Sequence, residues 1–233
     1  MDCRNSDSII GIPILEKMDW DNPLRSIAAT VDADVLKALA DTHEEVTGNH
    51  LARLAERSYA QVYAVVRRMT AEGLVHSSRH GRTNTYRLNR DHILAAAVSR
   101  ILASPARVES EIRLSVGGWD PPPETIALVG PAAWRNVDRD GEIHMLIVRP
   151  DSARGNDLER HSQSDALARR IEKICGNHVR ILDFNRMELT EAARDNRTLS
   201  ELLGGGVRIV SGRRLSIGAH RATPDAPVTV DRG

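Results

Sequence analysis

Between residues 47 and 88 apolar positions first recur at helical spacing and then alternate with polar ones. That change of period predicts two short helices followed by a hairpin. The second helix is the better specified. Ser58 and Gln61, three apart, form a capping box that starts a helix at Tyr59. From there Val62, Val65, Val66 and Met69 fall on one side, and Ala60, Gln61, Ala64, Arg67 and Arg68 on the other. The preceding helix starts near Thr47, packs through Leu51, Leu54 and Ala55, and ends at a short turn around Arg57 and Ser58. Upstream, Asp32 is expected to cap a first helix with the stripe Val35, Leu36, Leu39 and Ala40. Gly73 suits the end of the Tyr59 helix. Residues 74–77 and 85–88 read as strands, with residues 79–84 as the wing between them.

This is the layout of a winged helix-turn-helix. Its polar helix face has the chemistry a major groove requires: small side chains permit close approach, glutamine can pair with an adenine edge, and arginine reaches guanine or phosphate. The residues expected on DNA are Ser58, Tyr59, Gln61, Ala64, Arg67 and Arg68 on the helix, with Arg79, His80, Arg82 and Arg87 on the wing. Double-stranded DNA is the expected partner. A winged helix that docks protein instead is the plainer alternative.

Further along, Ile93, Leu94, Ala97, Val98, Ile101 and Leu102 form a strong helical stripe. Ser104 and Pro105 read as an N-cap and N1 pair restarting a helix with Val108, Ile112 and Val116. The stripe is either a homodimer seam or packs on its own chain. After Gly117, Gly118 and the prolines 121–123, strand-like segments at 125–129, 142–148 and 179–184 alternate with helices at 158–174 and 188–203. That alternation predicts a sheet flanked by helices, giving an α+β chain overall. The expected organisation is a disordered leader over 1–20, the winged helix over 21–90, a helical linker over 91–120, the second domain over 121–212 and a disordered tail over 213–233.

Charge sharpens the first half. The chain of 233 residues is neutral, with 32 basic and 32 acidic residues. Between Leu51 and Arg90, however, eight arginines face only Glu56 and Glu72, a local +6 that leaves −6 for the remainder. Such polarisation is an electrostatic footprint for phosphate. The two cysteines, Cys3 and Cys175, are too few and too far apart for a disulfide framework or a zinc pattern, and fit a cytoplasmic setting. No apolar run has the length to span a bilayer.

The front half resembles the arsenic-repressor-like winged-helix regulators of bacteria. The back half looks like the minimal nucleotidyltransferase domain of the DNA polymerase beta superfamily, and the join at residues 86–93 resembles that of proteins fusing the two. In that family a strand ends in a Gly-Ser turn, a helix with an Arg-Gly pair follows, and the next strand carries Asp-x-Asp for two magnesium ions. Here Gly130 stands at the first glycine, but Pro131 replaces the serine, Trp134 the arginine and Arg135 the second glycine. Asp-x-Asp becomes Glu142, Ile143 and His144. Proline removes a hydroxyl and an amide from the phosphate cradle, and histidine suits zinc or manganese better than magnesium. The resemblance therefore implies a nucleotidyltransferase-like scaffold without catalysis, metal or cofactor, acting as a sensor or a dimerisation unit. A nucleotide or other small effector would meet Gly130, Trp134 as a stacking face and Arg135 as an anion contact. The competing expectation is an active transferase using magnesium or manganese and a nucleotide, with Glu142, His144 and Asp183 as its catalytic group and the winged helix as a targeting module.

Overall fold

The computed structural model describes residues 17–137, 141–151 and 157–215. Three hydrophobic clusters organise the described residues, one in the front half and two in the back half.

The first is built by α1 (Thr30–Asp41), α2 (Gly48–Leu54), α3 (Tyr59–Ala71) and α4 (Ile93–Leu102), with a small sheet of β1 (Val46–Thr47), β2 (Val75–His80) and β3 (Thr83–Leu88). All three strands pair antiparallel in the order β1-β3-β2. The predicted apolar face of α3 is the buried one: Val62, Val65, Val66 and Met69 join Leu39 and Leu51 in the core. Each such side chain removed from water contributes about 1.5–3 kcal/mol before the entropy of ordering it is subtracted. Gly73 ends α3 in the left-handed region at φ 79°. The hairpin is tighter than expected, since His80 pairs with Thr83 across a two-residue tip, Gly81 and Arg82, and Gly81 takes φ 62°. Arg79 and His80 therefore lie on a strand and not in a loop.

The second and third lie on opposite faces of a four-stranded sheet of β4 (Thr125–Val129), β5 (Ile143–Arg149), β6 (Val179–Asn185) and β7 (Val207–Gly212), ordered β6-β5-β4-β7. Only β5 and β6 run parallel, joined by α6 (Asp157–Cys175). Residues at odd and even positions of β5 face opposite sides. Ile143, Met145 and Ile147 pack with α6 and with α5 (Ser104–Val116), while Leu146 and Val148 pack with α7 (Arg186–Asp195) and α8 (Arg197–Gly204). Covered on both faces, the central strands β4 and β5 are buried almost throughout.

Several expectations need correction. Asp32 does not cap α1; the helix begins at Thr30 after Ala29, and Asp32 sits in its first turn. Ser104 is the first residue of α5 and supplies no cap, which leaves the start to Pro105. The expected linker over 91–120 is divided between the cores, with Ala95 and Val98 of α4 in the first and Val108, Ile112 and Val116 of α5 in the second. The expected leader ends too late, because Trp20 is 2% exposed in the second core. Its indole Nε1 donates to Asn177 Oδ1 at 3.1 Å and its backbone N–H to the Val137 carbonyl at 2.9 Å. Residues 1–16 and 216–233 of the expected leader and tail lie outside the described residues. The helix expected over 188–203 is two helices, broken at Asn196, whose side chain caps α8 through the N–H of Leu199. Among the described residues no helix is long and apolar enough to cross a membrane.

Candidate nucleic-acid interface

Helix α3 starts where the sequence places it. Ser58 Oγ accepts from the Gln61 N–H at 3.3 Å, and Gln61 Oε1 accepts from the Ser58 N–H at 3.2 Å. The box commits the carbonyl half of Gln61 to the cap, so only its amide nitrogen is left to meet another group. The outermost stripe of the helix is Ala60, Ala64, Arg67 and Ala71, all exposed. Three alanines leave the backbone close to any partner lying along this face, and Arg67 is the cation in their midst.

Tyr59 and Tyr63 flank that stripe. Their rings stack with centroids 6.1 Å apart and 17° between planes, and they are 50% and 45% exposed. Tyr63 was not among the residues expected on DNA, although its spacing of four from both Tyr59 and Arg67 puts the three in one row. Gly48 at the start of α2 makes room for this row: a Cβ there would stand 2.8 Å from the Tyr59 ring.

The eight arginines of the basic segment separate into two groups. Arg57 is bound to Asp34, Arg68 to Asp32 at 2.6 Å, and Arg90 to the Ala40 and Thr42 carbonyls that α1 leaves unpaired at its end. Arg79 donates to the Gly81 carbonyl at 3.3 Å, and Arg87 lies 3.7 Å from Glu45. Among the described residues Arg53, Arg67 and Arg82 have neither an ion pair nor a side-chain hydrogen bond. Arg67 on the helix and Arg82 at the wing tip are thus uncommitted cations. Arg68, expected on DNA, instead ties α3 to α1.

Glu45 anchors the wing, a role invisible from sequence because the side chains it hydrogen-bonds lie 33 to 40 residues away and Arg87 further still. It accepts from Thr85 Oγ1 at 2.6 Å and Ser78 Oγ at 3.1 Å, and sits 3.3 Å from His80 Nε2. These hydroxyl contacts, Thr85 foremost, hold its carboxyl below the usual carboxylate range. His80 and Arg87 therefore serve the wing's own structure as well as its surface.

In the second half the three candidate transferase residues do not converge. Asp183 is in register with Ile147, an odd position of β5, whereas His144 is an even one, so the two point to opposite faces. Asp183 is also saturated. It accepts from Arg149 Nε and Nη2 at about 3.0 Å, from Ser164 Oγ at 2.7 Å and from Arg160 Nη2 at 3.4 Å. Arg149, 3% exposed, further stacks over the Trp119 ring at 4.8 Å. Glu142 and His144 stay together, 3.7 Å apart. Burial lowers the His144 pKa, and its Nδ1 is a buried atom without a hydrogen-bond partner. No group of three metal-binding side chains occurs among the described residues.

Gly130 and Trp134 do come together. With Pro131, Asn136, Leu202 and Gly205 they line a concavity of about 480 Å³, where the half-exposed Trp134 donates its indole N–H to the Gly205 carbonyl at 2.7 Å. Arg135 is not part of it. Its Nη2 pairs with the buried Glu109 of α5 at 2.9 Å, which removes the expected anion contact.

Residues 29–89 match the family model described as sugar-specific transcriptional regulator TrmB. This segment is a winged-helix domain of transcriptional-regulator type. The arsenic-repressor resemblance thus holds at the coarser level of a DNA-binding winged-helix regulator. The chain is also similar to the crystal structure of a MarR family transcriptional regulator from Silicibacter pomeroyi, with 28% identity over 42% of this chain and 68% of that one and a TM-score of 0.31. A zinc-responsive MarR family member, ZitR of Lactococcus lactis, is similar at 18% identity over 41% of this chain and 65% of its own, with a TM-score of 0.28. No curated protein matches the chain.

Proposed function

We propose that the chain regulates transcription by laying α3 in the major groove and the wing against the flanking backbone. The observation that carries this reading is the outer stripe of α3, three alanines around Arg67, together with Arg82 at the hairpin tip, neither arginine having a partner among the described residues. Arg67 reads a base edge and Tyr59 with Tyr63 packs along the groove wall. Arg82 neutralises phosphate, with Arg53 of α2 as a second backbone contact. Ser58, Gln61 and Ala64 set the approach of the helix. Arg68, Arg79, His80 and Arg87 reach the same surface but divide their charge with internal partners. The module works in the cytoplasm. Ile93 and Leu94 of α4, 86% and 52% exposed, supply an apolar patch through which two copies present two such heads.

The second unit is read as a nucleotidyltransferase-like scaffold without the chemistry. Gly130 directly follows β4 at φ 64°, Arg135 takes φ 58° where the family has its second glycine, and Glu142 directly precedes β5. These features favour a retained frame. The capture of Asp183 by two arginines and its position on the far face argue against phosphoryl transfer. Gly130 and Trp134 remain as the walls of an effector site.

The test is selection of bound duplexes from a random DNA pool by the purified chain. A recurring motif is expected, and its enrichment should fall with Arg67→Ala. An unenriched pool, with no binding at low salt, overturns the reading. Incubation with labelled ATP and magnesium or manganese should give no transfer. Transfer abolished by Glu142→Ala would restore the enzyme.

A further inference from the structure

The turn that delivers α3 is connected to the second core by a continuous chain of polar contacts, its carboxylates buried and its arginine side chains 31% exposed. Trp20, seated in that core, is followed back by Asp19, itself 5% exposed. Asp19 Oδ1 accepts the backbone N–H groups of Asp21 and Asn22 at 3.0 Å, and Oδ2 accepts from Arg25 Nη1 at 2.7 Å. The other edge of Arg25 reaches Asp34 Oδ1, from Nε at 2.8 Å and Nη2 at 2.7 Å. Asp34, on α1 and also 5% exposed, takes Arg57 on Oδ2, from Nε at 2.7 Å and Nη2 at 2.6 Å. Arg57 immediately precedes the α3 cap, Ser58.

Two features give this chain a purpose beyond cohesion. Its two carboxylates are buried, so displacing either arginine leaves a buried negative charge short of its counter-charge; a buried ion pair of this kind is weak evidence of stability and can instead hold a geometry. Glu56, next to Arg57, takes φ 53°, a left-handed conformation that a non-glycine residue keeps only where its surroundings over-determine it. The Asp34 grip on Arg57 supplies that determination at the turn between α2 and α3.

We propose that Asp34 is the positioning residue for α3, and that the series Asp19, Arg25, Asp34, Arg57 makes the angle at which α3 meets DNA depend on the second core. The inference rests on the reading of α3 as the DNA-contacting helix. A shift of the loops at Val137 and Asn177, which lead into β5 and β6, moves Trp20 and Asp19, and hence the arginine that sets the turn. The second unit thereby controls the reading head without touching DNA.

The experiment uses the full chain with Asp34→Asn, Asp34→Glu and Asp19→Asn, the last touching nothing on α3. Affinity for selected and scrambled duplexes is measured beside thermal unfolding and the Arg57 Nε–Hε resonance. Asp34→Asn is expected to lower the preference for selected over scrambled DNA roughly tenfold. Asp34→Glu should recover part of it. Asp19→Asn should act in the same direction, less strongly, and shift the Arg57 resonance. The proposal is overturned if Asp19→Asn leaves both that resonance and the preference at wild-type values, or if every variant weakens both duplexes equally. Should Asp34→Asn not fold, Asp19→Asn decides alone. Should the wild type bind no DNA, the groove reading fails, while the Arg57 resonance still decides the coupling.

Discussion

Arginine is put to opposite uses at two places in this molecule, the outer face of α3 with its wing tip and the sheet of the second half. On α3 and the wing tip, Arg67 and Arg82 stand exposed without partners among the described residues. In the second half, Arg149 is turned inward onto Asp183, its side chain 3% exposed. A cation left unpaired at the surface costs little in water and is available to phosphate, whereas one buried needs its counter-charge to be tolerated at all. The same side chain therefore reports function in one region and architecture in the other. The difference lies in burial and pairing, which composition does not contain.

The largest expected effect comes from breaking the inward type. Arg149→Ala removes three hydrogen bonds from Asp183 and leaves Ser164 and Arg160 as its remaining donors, so unfolding should be easier by about 3–5 kcal/mol, read from chemical denaturation. Replacing both partners together, as Arg149→Met with Asp183→Leu, should recover most of that loss. A single variant as stable as the wild type would show the pair to be solvated and the contrast between the two places to be false.

Arg68 lies between the two types, exposed yet paired with Asp32. Arg68→Ala should cost roughly 0.2–1 kcal/mol of stability. A double-mutant cycle with Asp32→Ala checks that the loss belongs to the pair, since independent residues would give additive costs. If Arg68→Ala leaves stability unchanged and instead lowers DNA affinity as much as Arg67→Ala, Arg68 belongs with the DNA-facing cations.

The smallest effect concerns pH. Burial depresses the His144 pKa below its ordinary value of 6.5, so in the relevant range the unfolded chain binds the proton more readily. Stability from this site is then fully present above 6.5 and declines as pH falls below it toward the folded value. His144→Gln should flatten that part of the profile. A stability that rises on acidification through the same window, and loses that rise with His144→Gln, would reverse the sign and place His144 in a charged pair with Glu142.

Local signals were legible and distant ones were not. The Ser58 and Gln61 box, the buried stripe of α3 and the glycine at position 73 depend on residues within a few positions, and all appear where the spacing puts them. Asn185 and Glu188 form an equal box that starts α7, a signal present in the sequence and missed. Strand β7 follows the Gly-rich run 204–206, which carries no strand signal of its own, and it closes the edge of the sheet beside β4. Glu45, Asp34 and Trp20 were unreadable for a physical reason: each acquires its role from partners brought close only by the fold. The Arg135 error has the same origin, for no spacing joins it to Glu109.

The measurement that tests the central claim most directly is the salt dependence of binding to a selected and a scrambled duplex by the wild type, Arg67→Ala and Arg82→Ala. Arg67→Ala should lose about 1–3 kcal/mol of preference between the two duplexes. Arg82→Ala should weaken both alike and reduce the slope of log K against log salt by about 1. Identical losses of preference from the two variants, or a slope that neither changes, would contradict the assignment of base reading to α3 and of phosphate contact to the wing.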